Sequence, residues 1–282
     1  MNLEELVVSF VRTIPGPDSD AMALPTEAQR QRFVDGLRAA EAGDPERAEA
    51  LVAPLAYGVR TVVDSATHRT LYVFEERREE GGGWHHAWGL YVIPAGPSRP
   101  LLVEVTHPVH DVNTPQVGVQ AFRQGDAAGL LVAGAHRYAN SDGSSDVAHV
   151  DRTMFAEVNR ALVDSRHTVL QPHGFDEADR ERASGDSDYG DVVVSAGTAP
   201  PPPAVGAVST ALREVGFAVC EYDGDRCADL GATQNVEGQW CREVGATFVH
   251  LELARDVRDD PSRRALAAST VVKTLGSVSS SS

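Results

Sequence analysis

In the first 55 residues apolar positions recur at helical spacing, in three runs. These are LEELVVSFV (3–11), TEAQRQRFVDGLRAAEAG opened by Thr26 as N-cap, and DPERAEALVAPL opened by Asp44 ahead of Pro45. From Tyr57 the period shortens. YGVRTVVDSA, RTLYVFEE and, past the glycine turn at 81–83, HAWGLYVIPA predict consecutive antiparallel strands. Beyond Pro97 apolar strands alternate with amphipathic helices. Strands are predicted at LLVEV (101–105), GLLVAGA (129–135), TVLQ (168–171), DVVVSA (191–196), FAVCEY and TFVHLEL (247–253), and helices over 115–125, 151–163, 204–215, 235–244 and 260–273. Thr114-Pro115 marks one helix start, and Asp151 another, ahead of Met154, Phe155, Val158 and Leu162 on one face. The prolines 200–203 close a loop before helix 204–215, which Gly216 stops.

Such alternation predicts an α/β fold: a mixed, mostly parallel sheet covered by helices on both faces, with a helical N-terminal extension. The expected organisation is one α/β domain over residues 1–275. Within it, 1–55 form the helical extension, 56–98 the antiparallel strands and 99–275 the α/β core, followed by a flexible tail at 276–282 (GSVSSSS).

Composition narrows the function classes. A chain of 282 residues, 42% hydrophobic and 23% charged, holds a large core and is not disordered except at its ends. The net charge is −16, Lys273 is the only lysine, and no basic run interrupts the acidity. Nucleic acid and anionic membranes are therefore not expected partners. Acidic residues stand where a signal peptide needs basic ones, Ser9, Arg12 and Pro15 interrupt the first apolar stretch, and nothing approaches a membrane span of roughly 18 apolar residues. A cytoplasmic location is expected. Cys220, Cys227 and Cys241, an odd set without a CxxC, read as reduced thiols.

Candidate chemistry collects after the strands, where open α/β sheets place their working residues. Thr106-His107-Pro108-Val109-His110-Asp111 follows LLVEV, His136-Arg137-Tyr138-Ala139-Asn140 follows GLLVAGA, and Pro172-His173-Gly174-Phe175 follows TVLQ. The strand TFVHLEL carries Glu252 near its end, with Arg255 beyond. Two histidines and a carboxylate from separate strand ends suit a catalytic zinc with one open position, one ion per chain: His107, Asp111 and His173, with His110 as the alternative ligand. Pro108 breaks the regular backbone, so His107 and Asp111 are expected to turn to one point from a non-helical segment.

Glu252 interrupts an apolar strand, so it needs a partner or a cavity: either a general base, or an ion pair with Arg255 or Arg258. His250 shares its strand face. Arg137 could polarise a carbonyl or grip a substrate carboxylate, with Asn140, His136 and Arg255 as further substrate contacts. His149, in the Ser145–His149 segment read as a helix cap, is a reserve ligand. The chain has no GxGxxG after a strand, no GxxxxGK[ST], no GxSxG and no HExxH, which removes the dinucleotide, P-loop, serine-hydrolase and zincin classes.

From about residue 99 to 258 the ordered motifs EVTHPVHD, GAHRYAN, VLQPHGF and FVHLELARDVR resemble the zinc-dependent exopeptidase superfamily. The likeness is especially to its N-formylglutamate amidohydrolases and poly-gamma-glutamate hydrolases, more distant relatives of the zinc carboxypeptidases. Where a carboxypeptidase has His-x-x-Glu, this chain has His110 at the third position and Asp111 at the fourth. The resemblance implies a carboxypeptidase-like fold of the phosphorylase type. It also implies zinc on His107, Asp111 and His173, and a catalytic Glu252. The expected function is hydrolysis of an amide bond next to a carboxylate, in a small N-acyl amino acid or a peptide. The alternatives are an inactive relative serving as a binding partner, or a metal-dependent esterase or phosphatase.

Overall fold

The computed structural model describes residues 1–176 and 189–279. Its strands are β1 (Tyr57–Val63), β2 (Thr70–Glu76), β3 (Gly89–Pro94), β4 (Arg99–Val105), β5 (Ala127–Ala133), β6 (Thr168–Phe175), β7 (Val192–Ser195), β8 (Val219–Glu221) and β9 (Thr247–Ala254). Among the described residues they form one open sheet in the order β1-β2-β3-β5-β4-β6-β9-β7-β8. The four central strands β5, β4, β6 and β9 run parallel, which brings their carboxyl ends to one edge. The hairpin strands β1–β3 extend one side antiparallel. On the other side β7 pairs antiparallel with β9, and β8 runs parallel to β7.

The helices are α1 (Leu3–Val11), α2 (Glu27–Glu41), α3 (Pro45–Val52), α4 (Thr114–Gln124), α5 (Met154–Leu162), α6 (Pro203–Glu214), α7 (Val236–Val244), α8 (Arg255–Asp259) and α9 (Pro261–Ser279). Side chains alternate across each strand, so the sheet builds two cores. Val103, Val105 and Leu170 pack on one face with Leu3 and Val7 of α1, Phe122 of α4, Leu212 of α6 and Val271 of α9. Leu102, Leu131 and Val169 pack on the other with Phe33 of α2, Val52 of α3, Phe155 of α5 and Cys241 of α7. The helical extension is thus divided between the two faces. Its start is tied down by the Met1 ammonium on the Val63 carbonyl at 2.8 Å, and by Arg123 bridging Asn2 and Asp64.

Several local details differ from the sequence pattern. Helix α5 is capped by the Thr153 hydroxyl, which accepts from the Ala156 N–H, and not by Asp151. Helix α4 is entered through Asn113 at φ +70°, while the Thr114 hydroxyl donates to the Asp111 carbonyl. Strand β6 runs four residues past Gln171 and takes His173 into the sheet. Helix α9 continues through Ser279, into the segment expected to be a tail; residues 280–282 lie outside the described residues. The thiol expectation is corrected for two cysteines. Cys220 and Cys227 are bonded, with Cα atoms 6.6 Å apart, across a turn in which the Asp223 carboxylate accepts from the N–H groups of Asp225 and Arg226. Cys241 stays a free, buried thiol. No described helix is long and apolar enough to cross a membrane.

Candidate metal centre

After β4 the chain makes a single helical turn: the Asp111 N–H donates to the His107 carbonyl at 2.9 Å. The segment lies outside any helix, as expected, and this one closed turn explains why residues four apart share a face. Pro108 sits at the start of that turn, where no N–H is needed. Strand β6 neighbours β4 and delivers His173 to the same point.

The meeting of these three side chains is tight. The Nδ1 atoms of His107 and His173 are 3.1 Å apart. Oδ2 of Asp111 lies 3.0 Å from Nδ1 of His173 and 3.4 Å from Nδ1 of His107. Tetrahedral zinc at its usual bond lengths sets ligand atoms about 3.3 Å from one another. All three residues are buried. His110 is not in this group. Its Nδ1 holds the other carboxylate oxygen, Oδ1 of Asp111, at 2.9 Å, so it orients the carboxylate that it was expected to replace.

Behind His107 stands Asp146, which lies in the segment expected to cap a helix. Its Oδ1 is 2.9 Å from His107 Nε2, while its Oδ2 accepts from Arg137 Nη2 at 2.6 Å and lies 3.1 Å from His149 Nδ1. Burial alone would raise the Asp146 carboxyl, but the His107 and His149 hydrogen bonds and the Arg137 charge hold it well below the usual carboxylate range. An ionised Asp146 only accepts, so Nε2 of His107 carries a proton towards it, while Nδ1 faces Asp111 and His173. Burial lowers the His107 pKa, yet its bonds to Asp111 and Asp146 outweigh that and raise it. These bonds favour positive charge on His107, whereas burial, with the neighbouring His107, holds the His173 pKa down.

Glu252 and His250 lie on β9, with Glu252 paired in register opposite His173 of β6. Ligand-capable atoms of His173, His250 and Glu252 lie within 4.8 Å of one another. The His250 and His173 rings are 4.6 Å apart, and burial, then the neighbouring His173, push His250 well below its usual pKa. Both arginines weighed as partners of Glu252 make other bonds as well, and Glu252 lies close enough to Arg258 to favour its charge. Arg255 is half-exposed and bonds Asp259 at 2.8 Å, which places it on α8 and not over the three ligand atoms. Arg258 is buried and donates to the carbonyls of Leu253, Val112 and Phe175, tying together β9, the loop after β4 and β6.

The remaining expected substrate contacts are only partly available. Asn140 uses its amide on the backbone of Met22 and on Ser144, so it clasps the segment between α1 and α2. His136 accepts from the Tyr138 N–H through Nδ1, with its ring 5.5 Å from that of His110. Arg137 Nε is buried with no hydrogen-bond partner among the described residues. Besides Asp146, the sequence reading missed Gln171, whose Oε1 is 2.9 Å from His173 Nε2. A glutamine two residues before the histidine on one strand, and hence on its face, was the available signal.

No family model and no curated protein matches the chain. Solved structures similar to it include a gene product of Agrobacterium tumefaciens, at 12% identity and TM-score 0.48, spanning 65% of this chain and 91% of that one. An N-formylglutamate amidohydrolase from Ralstonia eutropha has 15% identity and TM-score 0.47, over 69% and 98%. A bacteriophage poly-gamma-glutamate hydrolase has 14% identity and TM-score 0.46, over 66% and 87%. The last two are of the kinds that the motifs resemble.

Proposed function

We propose that this protein is a zinc-dependent amidohydrolase or peptidase that cleaves an amide bond next to a carboxylate. The observation that carries this reading is the convergence of His107 Nδ1, His173 Nδ1 and Asp111 Oδ2 in a buried site. A donor set of two imidazoles and one carboxylate suits zinc, and three protein ligands leave a position open. When bound, zinc would polarise a water and the scissile carbonyl at neutral pH.

The chain's own groups would do the rest. Glu252 takes the proton from the attacking water and passes it to the leaving nitrogen as the C–N bond breaks. Arg137, held through Nη2 by Asp146 and with Nε unengaged, grips the substrate carboxylate. Asp146 and His110 keep His107 and Asp111 aimed at the ion. The Cys220–Cys227 bond fits an oxidising compartment better than the reducing cytoplasm expected from the N-terminus.

The test is metal analysis of protein purified without chelator, then turnover of N-acyl amino acids, short peptides and matched esters by wild type and Glu252→Gln. About one zinc per chain and amide cleavage are expected. The variant should keep the metal while turnover falls roughly a hundredfold to ten-thousandfold. A metal-free protein that zinc neither stabilises nor activates would sink the proposal, and cleavage of esters alone would move it to another hydrolase class.

A further inference from the structure

Between the end of α1 and the turn after β4 runs an open groove of about 390 Å³. Leu3, Val7 and Phe10 of α1 face the core, so Val8 and Val11, three apart, fall on a neighbouring side of the helix and line the groove. The turn after β4 divides its residues in the same way. His107 and Asp111, four apart, meet at the candidate metal centre, while Pro108 and Val112, also four apart, line the groove. Val109 and Val112 are 37% and 39% exposed, two aliphatic side chains left open to water beside the partly buried Val8 and Val11. An apolar occupant would bury all four.

The groove is not apolar throughout. Arg12 stands in its lining, exposed, and its guanidinium makes no ion pair or side-chain hydrogen bond among the described residues. Asn113, Pro115 and Gln116 bring the start of α4 into the same lining, and that helix has no acidic residue in its first turn and no side-chain cap. Its first N–H groups and its dipole therefore leave partial positive charge there. No acidic side chain lines the groove among the described residues, in a chain of net charge −16. Asp259, which accepts from the Asn113 amide, is already paired with Arg255. The lining is thus complementary to an anionic group carried on an aliphatic chain.

Size narrows the ligand further. Small-molecule sites begin at about 300 Å³, and at the roughly 30 Å³ that a water molecule takes in the liquid the groove has space for about a dozen heavy atoms. We propose that the groove is a binding site for a free medium-chain fatty acid such as octanoate, its chain against Val8, Val11, Val109 and Val112 and its carboxylate paired with Arg12. None of His107, Asp111, His173 and Glu252 belongs to the lining. The site is therefore separate from the candidate metal centre, and it does not rest on the zinc reading above.

The test follows the valine methyl signals of the full chain, treated with chelator, during titration with butyrate, hexanoate, octanoate and octanamide below micelle-forming concentrations. Octanoate should shift the methyls of Val8, Val11, Val109 and Val112 together and saturably. From butyrate to octanoate, each added methylene should tighten binding about two- to fourfold. Octanamide has the chain without the charge, and should bind about threefold or more weaker than octanoate. Arg12→Gln should bring octanoate down to the affinity of octanamide and leave octanamide unchanged. Val112→Asp should weaken octanoate about tenfold or more, because it sets a carboxylate in the groove. Both positions are exposed, so neither variant threatens the fold.

Shifts that do not saturate, affinity indifferent to chain length, or equal binding of octanoate and octanamide would overturn the proposal. So would an Arg12→Gln variant that holds octanoate as tightly as wild type. If octanoate binds only zinc-loaded protein, the acid sits on the metal and the groove is not its site. If the four valines respond to protein concentration alone and sedimentation quickens with it, the groove is an interface between copies of the chain and the fatty acid is removed from it.

Discussion

The guanidinium of Arg258 lies against the bare Cα of Gly174, where an added Cβ would fall well inside van der Waals contact of its Nε, Cζ and Cδ atoms. From that position Arg258 reaches the carbonyls of Phe175, Leu253 and Val112. The glycine beside His173 is thus required by space and not by backbone angles. Gly174→Ala should destabilise the fold by about 1–3 kcal/mol through overpacking, and displace the clamp under the candidate metal centre. Denaturant melts of the metal-free protein check the first effect and zinc titration the second. Wild-type values in both would show that Arg258 moves aside freely.

His173 and His110 are both near Asp111, yet they meet different oxygens of it. His173→Ala is expected to abolish zinc binding. His110→Ala should leave one ion per chain, bound more weakly because Asp111 loses a hydrogen bond that aims it. Zinc stoichiometry on the two variants checks this, and equal loss would make His110 a ligand.

Asp146 and Arg137 form one ion pair, but the proposal gives them different work. Asp146→Asn removes the charge that holds His107, so zinc affinity should fall about ten- to a hundredfold. Arg137→Ala should lower affinity less, and raise KM for substrates that carry a free carboxylate. Affinity by chelator competition, set beside KM for a substrate and its carboxamide, separates the two roles. A KM change indifferent to the carboxylate would take Arg137 out of substrate binding.

Because burial raises the Glu104 pKa to about 7 from its ordinary 4.5, the native state binds this proton more tightly than the unfolded chain. The associated stability is full below the unfolded value and is lost as pH rises through the folded one. Glu104→Gln cannot lose it. In metal-free protein the Tm advantage of Glu104→Gln over wild type should therefore widen between about pH 5 and pH 8. Parallel curves across that range would mean that Glu104 does not titrate there.

Much of this molecule is written locally in its sequence. The Thr26 and Asp44 caps, the period-two runs of β1 to β3 and the strand–helix alternation after Pro97 are set by neighbouring residues, and each stands where its pattern puts it. His107, Asp111, His173 and Glu252 stood out for the same reason: a charged or metal-binding side chain at the end of an apolar strand has few places to go. The antiparallel entry of β7 beside β9, the bond between Cys220 and Cys227 and the burial of Asp146 against His107 depend on segments that meet only when the sheet closes. Glu104 carries the same lesson furthest. In sequence it is an acid in an apolar strand, and only contact with Gln171, 67 residues away, gives its charge a direction. Local pattern determines which residues form strands and helices, because propensity and periodicity act over a few positions. Tertiary structure decides which lone pair faces which proton, because hydrogen-bond direction is set by partners that the chain brings from far along its length.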